Sequence, residues 1–394
     1  MKLIERSSYL DCLKRMQGTP DIKVITGIRR CGKSKLMEAF ISYLLESDIN
    51  VIHINFNLSE YNSLRTANNL EQYVLDRYQH GKENVLCIDE VQLCANFESA
   101  INSLHDRECF DIYITGSNAF LLSSDLATLF TGRTMEIKVY PFSFAEFIQY
   151  FGSTDIQHSF DDYVIQGGMA GSYVYPDLRD KHKYIADVYD TLILRDIRQK
   201  YNLRNYYLMD CLSDFMLDNV ANLTSVRNVA QTLCSAKLAT NDKTLGSYIK
   251  YLCSAFAFYK VRRFDIRGKK YIASQDKYYL ADHAFRFAKL GTKNMDYGRI
   301  YENIVAMELQ RRGYEVYAGM LYQKEIDFVA LKQNEKIYIQ VCDDISSIDT
   351  QHREFSPLLQ IRDNYPKWLI ARTRHPEYDY QGILVKDLAN WLIG

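Results

Sequence analysis

Gly27-Ile28-Arg29-Arg30-Cys31-Gly32-Lys33-Ser34 is the stretch on which the reading of this chain turns. It fits G-x-x-x-x-G-K-[ST] in full, it follows the apolar run 21–26, and it opens a helical pattern that reaches about Leu45. Each position has a chemical reason. Gly27 and Gly32 permit backbone angles that turn successive N–H groups toward one phosphate. The helix that starts near Lys33 adds the positive end of its dipole. The Lys33 ammonium suits the β- and γ-phosphates of a nucleoside triphosphate, and the Ser34 hydroxyl suits Mg²⁺. Ile28, Arg29, Arg30, Cys31 and Lys35 complete the candidate ATP-binding set. Without its context the motif is a glycine-rich turn with a solvated lysine; the strand before it and the helix after it favour the phosphate reading.

Outward from the loop, strand-like and helix-like patterns alternate. Strands are expected at 21–26, 51–56, 84–89, 112–115 and 135–139, with helices at about 70–78 and 97–105 between them. Apolar strands alternating with helices predict an α/β domain, a mainly parallel sheet covered on both faces, with its site beyond the carboxyl ends of the strands. The run Val85-Leu-Cys-Ile-Asp89-Glu90 ends in two acids at such an end. Asp89 is a candidate magnesium ligand and Glu90 a candidate general base toward the water that attacks the γ-phosphate. Tyr113-Ile-Thr-Gly-Ser117-Asn118 ends in small polar residues. Asn118 or Ser117 is placed either to bond the γ-phosphate or simply to form a polar turn. Arg133, just ahead of the last strand, has three readings: contact with the γ-phosphate in cis, action across a subunit interface, or pairing with an acid.

Composition bounds the rest. The 394 residues exceed one ordinary core, and 48 Lys+Arg against 49 Asp+Glu leave a net charge of −1, which excludes a polycationic or polyanionic bulk surface but not a local patch. Nine cysteines, an odd number with no C-x-x-C among them, point to free thiols in a reducing, cytoplasmic setting. The charged start MKLIERSSYLDCLKRM does not read as a secretion signal, and no apolar run approaches the ~18 residues of a membrane span.

The stretches Gly27–Ser34, Val85–Gln92, Thr115–Asn118 and Leu126–Arg133 together resemble the AAA+-like P-loop ATPases of bacteria and archaea. More narrowly, Pro141–Phe147, Ile193–Ile197, Val261–Lys270, Glu302–Val305, Arg311–Tyr314 and Glu325–Phe328 resemble the "ATP-binding protein" family whose carboxyl half is a DUF4143 domain. The resemblance covers nearly the whole chain. It implies ATP binding with Mg²⁺, hydrolysis to ADP and phosphate, and a helical lid on a three-layer P-loop NTPase domain; it implies no particular cellular role. One departure is local: where the family often has Gly-Gly-Phe-Pro, this chain reads Gly167-Gly-Met-Ala-Gly171 without the proline, which puts any nucleotide-sensing role of that turn in doubt.

Four segments are expected: the ATPase domain at 1–150, a helical lid or connector at 151–218, a winged-helix-like domain at 219–290 and an α+β nuclease-like domain at 291–394. In the third, helices near 225–235 and 244–256 precede strands at 258–264 and 270–274, the order of a winged helix. Between 260 and 277 stand seven Lys/Arg (260, 262, 263, 267, 269, 270, 277) against Asp265 and Asp276, a local excess of five positive charges. That suits a DNA backbone. It equally suits a wing used for domain packing. In the last segment Glu302 and Asp327 follow the order of a PD-(D/E)XK nuclease, whereas its acid and lysine are replaced by Gln340 and Cys342. An amide brings no anion and a thiol no fixed cation, so the expectation is a nuclease-like fold without cleavage. Lys332 and Lys336 are nearby but have no feature that recommends them. An active metal-dependent nuclease is the disfavoured alternative. A nucleotide-gated DNA-binding module with little turnover is another; protein partners and homo-oligomers are compatible with all of these.

Overall fold

The computed structural model describes residues 2–116, 130, 132–235, 241–268, 270–292 and 295–394. It divides into two compact units, Met1–Pro141 and Phe142–Gly394, where four segments were expected.

In the first unit, strands β1 (Ile22–Thr26), β2 (Asn50–Asn55), β3 (Asn84–Asp89), β4 (Asp111–Thr115) and β5 (Thr134–Lys138) form a parallel sheet in the order β2-β3-β4-β1-β5. The inner strands β1, β3 and β4 are buried at every residue, because helices cover both faces, whereas the edge strands β2 and β5 are only partly buried. The interstrand helices run Lys33–Leu44, Ala67–Leu75 and Phe97–Asp106. On one face Ile22, Val24, Ile54, Phe56, Leu86, Ile88, Ile112 and Ile114 pack against Ile101 and Leu104 of the last of these helices. Full burial of each such side chain contributes about 1.5–3 kcal/mol. At the amino edge Lys23 is wholly buried, and its ammonium lies 2.5 Å from Asp111 Oδ1. The Gly18 N–H donates to the other oxygen of Asp111 at 2.9 Å.

Parallel polarity decides what meets what. The carboxyl ends Thr26, Asn55, Asp89 and Thr115 share one edge, with the phosphate loop continuing directly from Thr26. β4 separates β1 from β3, pairing Ile25 with Thr115 on one side and Ile114 with Ile88 on the other.

The second unit is a mixed sheet of β6 (Phe258–Asp265), β7 (Lys270–Leu280), β8 (Glu315–Leu321), β9 (Lys324–Lys332), β10 (Glu335–Cys342), β11 (Lys367–Ala371), β12 (Tyr378–Tyr380) and β13 (Ile383–Asp387), in the order β12-β13-β11-β10-β9-β8-β6-β7. The helices Val226–Ser235 and Asp242–Ser254 are present as expected, the second capped by the Asn241 side chain. The ribbon that follows them is not a free wing. β6 pairs in parallel with β8 through Arg263↔Ala318, Phe264↔Gly319 and Asp265↔Met320, so the expected boundary near 290 runs through one continuous sheet. An isolated ribbon leaves a row of N–H and C=O groups open, and β8 satisfies them. Gly319 permits the close fit: a Cβ there would come within 2.9 Å of Ile326 and Val329.

Within the segment expected as a helical lid or connector, the helix that opens at Leu178 is interrupted. It runs Leu178–Asp187, widens to a π-helix over Val188–Leu194 and resumes at Arg195–Lys200. The turn at 167–171 is tied inside this unit by buried Asp282, which accepts the Gly168 N–H at 2.8 Å. Among the described residues no helix is long and apolar enough to cross a membrane.

Candidate functional site

The loop after β1 is built by its glycines. Gly27 has φ +141°, and a Cβ there would lie 2.1 Å from the Val139 carbonyl oxygen. Gly32, at φ 102°, is the N-cap of the helix Lys33–Leu44. Both angles are unfavourable for any other residue. Ile28 and Cys31 are buried and pin the loop to the core. Arg6 braces it from outside: its guanidinium donates to the carbonyls of Cys31 (3.1 Å) and Tyr140 (2.9 Å) and lies 4.5 Å from the Tyr9 ring centre. No local motif marks Arg6, and the sequence reading missed it. Lys33 is buried, with its ammonium donating to the carbonyls of Gly27 (2.9 Å) and Ile28 (3.2 Å). The first N–H groups of the helix have no acceptor within it, which leaves the positive dipole end facing the loop. Ser34 and Arg29 are half-buried and Arg30 is exposed at φ 67°. Lys35 is also exposed and pairs with Glu38. It stands at the periphery of the candidate set.

Across the same edge, Asp89 is 2% exposed. Its Oδ1 accepts the Thr115 hydroxyl proton, while its Oδ2 is buried without a hydrogen-bond partner among the described residues. An orphaned buried carboxylate oxygen is costly unless a cation completes it. That oxygen, like the Ser34 hydroxyl at the start of the helix after the loop, is a hard donor of the kind Mg²⁺ takes, so the chemistry of these residues fits that ion. Glu90 leaves the strand in the left-handed region (φ 56°, ψ 48°). Its N–H donates to Thr115 Oγ1 at 3.1 Å and its carboxylate accepts from the Gln92 amide. A non-glycine residue in that region stores strain of about 1–3 kcal/mol and is frequent where function requires it.

Thr115 joins the two acids, and the sequence reading passed over it in favour of Ser117 and Asn118. Its signal was available: a threonine at the last position of the strand beside the acidic tip. Thr115→Val is expected to cost about 1–3 kcal/mol in urea denaturation, because it leaves the Asp89 oxygen and the Glu90 N–H without their partner. Thr115→Ser is expected to keep most of that stability. Another residue near the acids is His53 on β2. Burial lowers its pKa from the usual imidazole value, with the Asp89 and Glu38 charges acting in the opposite direction.

Two candidates are not brought to this edge. Asn118 and Ser117 lie outside the described residues. Arg133 precedes β5, whose Thr134 pairs with Ile22 at the start of β1. It therefore sits at the amino edge, about 16 Å of strand away from the loop. There it pairs with Asp106 at 2.5 Å. The reading of Arg133 as a γ-phosphate contact in cis is corrected on that ground.

The basic excess of 260–277 is largely engaged. Lys260 pairs with Asp276 (2.7 Å), Arg263 donates to Gln275 and Met320, and Arg267 lies 5.2 Å from the Tyr322 ring centre. Lys277 is buried, whereas Arg262 is exposed beside Glu315. Lys269 is outside the described residues.

The buried end of Lys277 meets the acids that the sequence had placed in nuclease order. Its ammonium lies 2.7 Å from Glu302 and 3.6 Å from Asp327, and it also pairs with Glu325. Tyr279 donates to Glu302 at 2.6 Å. Asp327 Oδ2 accepts the Val341 N–H at 2.8 Å, and Gln340 donates to Glu354 at 3.0 Å. Burial raises the pKa of Glu302 and of Asp327. Burial also works against the charge on Lys277, but Glu302, Asp327 and Glu325 outweigh it and the ammonium stays protonated above the usual lysine range. Burial, then the Glu354 and Asp327 charges, push the Cys342 thiol up, so it stays neutral. Lys332 is held by the Arg312 carbonyl and Lys336 faces Asp363. The cation judged missing from the sequence is thus present, on β7.

Comparison with known proteins adds the following. Residues 19–148 match the AAA domain family AAA_14. Residues 157–296 match a domain of unknown function, DUF8612, where the resemblance had implied DUF4143. An uncharacterized protein of Haemophilus influenzae is 36% identical over 399 residues, covering 99% of both chains. A protein of Methanocaldococcus jannaschii is 26% identical over 345 residues, covering 84% of this chain and 76% of that one. Among solved structures, the Aeropyrum pernix ORC1 protein in complex with DNA aligns at 8% identity and TM-score 0.32, covering 79% of this chain and 94% of that chain. The replication initiator DnaA bound to AMPPCP and single-stranded DNA aligns at 14% identity and TM-score 0.32, covering 62% and 86%. Structural matches this distant carry no weight for ligand or partner.

Proposed function

The chain belongs to the family of the Haemophilus influenzae protein and carries an AAA domain at its amino end, and from that footing we propose that it is a Mg²⁺-dependent ATPase. One observation carries the reading: the glycine-built loop and an acidic pair with an orphaned Asp89 oxygen share one edge of a parallel sheet. The loop N–H groups and the helix dipole bind the phosphates. Lys33, stored on the Gly27 and Ile28 carbonyls, transfers its hydrogen bonds to phosphate oxygens. Ser34 and Asp89 hold the metal, which when bound neutralises charge on the phosphates. Glu90 takes the proton of the attacking water, and the products are ADP and phosphate. The nucleotide state in turn governs what the second unit engages, DNA or protein; exposed Arg262 and Arg267 supply phosphate contacts for the former.

The test is titration of ATP with Mg²⁺, followed by phosphate release across protein concentration with and without duplex DNA. Saturable binding and turnover are expected. Flat isotherms for every nucleotide would refute the proposal. DNA coupling that is unchanged between low and high salt removes the DNA arm alone. A rate per chain that rises with protein concentration is expected if a homo-oligomer completes the site.

A further inference from the structure

The order of Glu302 and Asp327 implies a divalent metal in the second unit, and the residues present do not fit one. Glu302 comes from the helix Tyr297–Arg311, Asp327 and Glu325 from β9, and all three converge on the Lys277 ammonium, whose side chain is 2% exposed. The ammonium donates to Glu302, pairs closely with Glu325 and lies within ion-pair distance of Asp327, so three carboxylates share its charge. Asp327 has already committed Oδ2 to the Val341 N–H, and Glu302 shares Oε1 between Lys277 and Tyr279. Gln340, at the position of the missing acid, is used as a strut: its Oε1 accepts the Asp327 N–H at 3.4 Å and its Nε2 reaches Glu354. A divalent ion at these acids needs carboxylate oxygens free to face it, and here Glu302 Oε1 and Asp327 Oδ2 are already committed to the ammonium, the Tyr279 hydroxyl and the Val341 N–H. Among the described residues no three His, Cys, Asp or Glu side chains are grouped so as to hold a metal ion.

We propose that Lys277 is the built-in cation of this centre, its ammonium standing between Glu302, Glu325 and Asp327 where a divalent metal would otherwise sit. Buried carboxylates need a compensating charge, and a lysine fixed in a strand supplies it permanently. A metal cannot enter without displacing Lys277, which is held from behind by its pairing with Val261 of β6. The cleft of about 550 Å³ lined by Glu325, Asp327, Gln340 and Glu354 also carries Lys324 and Arg353, the latter paired with Glu354, so side-chain cations balance its acids. The proposal does not depend on ATP hydrolysis.

Mn²⁺ binding to the full chain without nucleotide, counted by electron paramagnetic resonance, tests it. Wild type and Asp327→Asn are expected to bind the same number of ions, because Asp327 holds a lysine and not a metal. Loss of one ion in Asp327→Asn would overturn the proposal. Lys277→Met, which keeps the length and removes the charge, is expected to gain one Mn²⁺ at least tenfold tighter than any ion of wild type, and to lose it again when Asp327→Asn is added. A folded Lys277→Met chain with no gained ion also overturns it. If that variant does not fold, the comparison of wild type with Asp327→Asn still decides.

Discussion

Replacing Lys33 by alanine is expected to weaken ATP binding by about 10²–10⁴-fold. The size follows from what is lost. Two charge-assisted hydrogen bonds to phosphate, each worth about 1.5–3 kcal/mol, correspond to roughly two to four decades of affinity. The folded loop must survive for the result to be meaningful, and the structure says how it can. Gly27, Gly32, Ile28 and the Arg6 brace hold its path independently of the Lys33 ammonium, which contributes two carbonyl contacts. Isothermal titration with ATP and Mg²⁺, paired with a melting curve, separates the two effects. Unchanged affinity in a folded Lys33→Ala chain would make the lysine a structural pin of the loop and remove it from the ATP site.

Glu90→Gln is expected to leave ATP affinity within about threefold of wild type and to lower turnover by about 10²–10⁴-fold, the usual contribution of a positioned general base. The substitution is a clean one. Glutamine has the same length, tolerates the same left-handed backbone as glutamate, and keeps an oxygen to accept the Gln92 amide. What it loses is the ability to take a proton. Phosphate release under single-turnover conditions, with ATP bound beforehand, is the measurement. Hydrolysis at the original rate would assign the base elsewhere, and Asp89 would then remain as a metal ligand only.

The first unit was legible because its signals are local. Buried parallel strands read as unbroken apolar runs, such as Val85–Ile88, and the loop glycines are required by the backbone angles of a few consecutive residues. Of the three readings of Arg133, pairing with an acid is the one the structure bears out, and the cis γ-phosphate contact was avoidable. A residue just before a strand of a parallel sheet lies at the amino edge, away from a loop that follows a neighbouring strand. Thr115 was two residues from the nearer of the positions that were considered, and what marks it is its hydroxyl, which joins Asp89 to the Glu90 N–H.

The second unit was read less well because its decisive contacts are distant in the chain. Helix–helix–ribbon order was recovered at 226–280, yet the pairing of β6 with β8 joins residues more than fifty positions apart, and no periodicity within either strand reports it. The same holds for Lys277. Within 260–277 it counts as one more surface cation; only when β7 is laid in the sheet, with the helix Tyr297–Arg311 packed against it, does its side chain enter the acid centre. The amino-acid sequence by itself determined the phosphate loop, the acidic strand tip and the α/β class, since each depends on neighbours along the chain. Tertiary structure alone decided which edge each charged residue occupies and which carboxylates share a cation, because burial assigns partners by proximity in space, and an ion pair buried at a junction of strands and helices leaves no local trace.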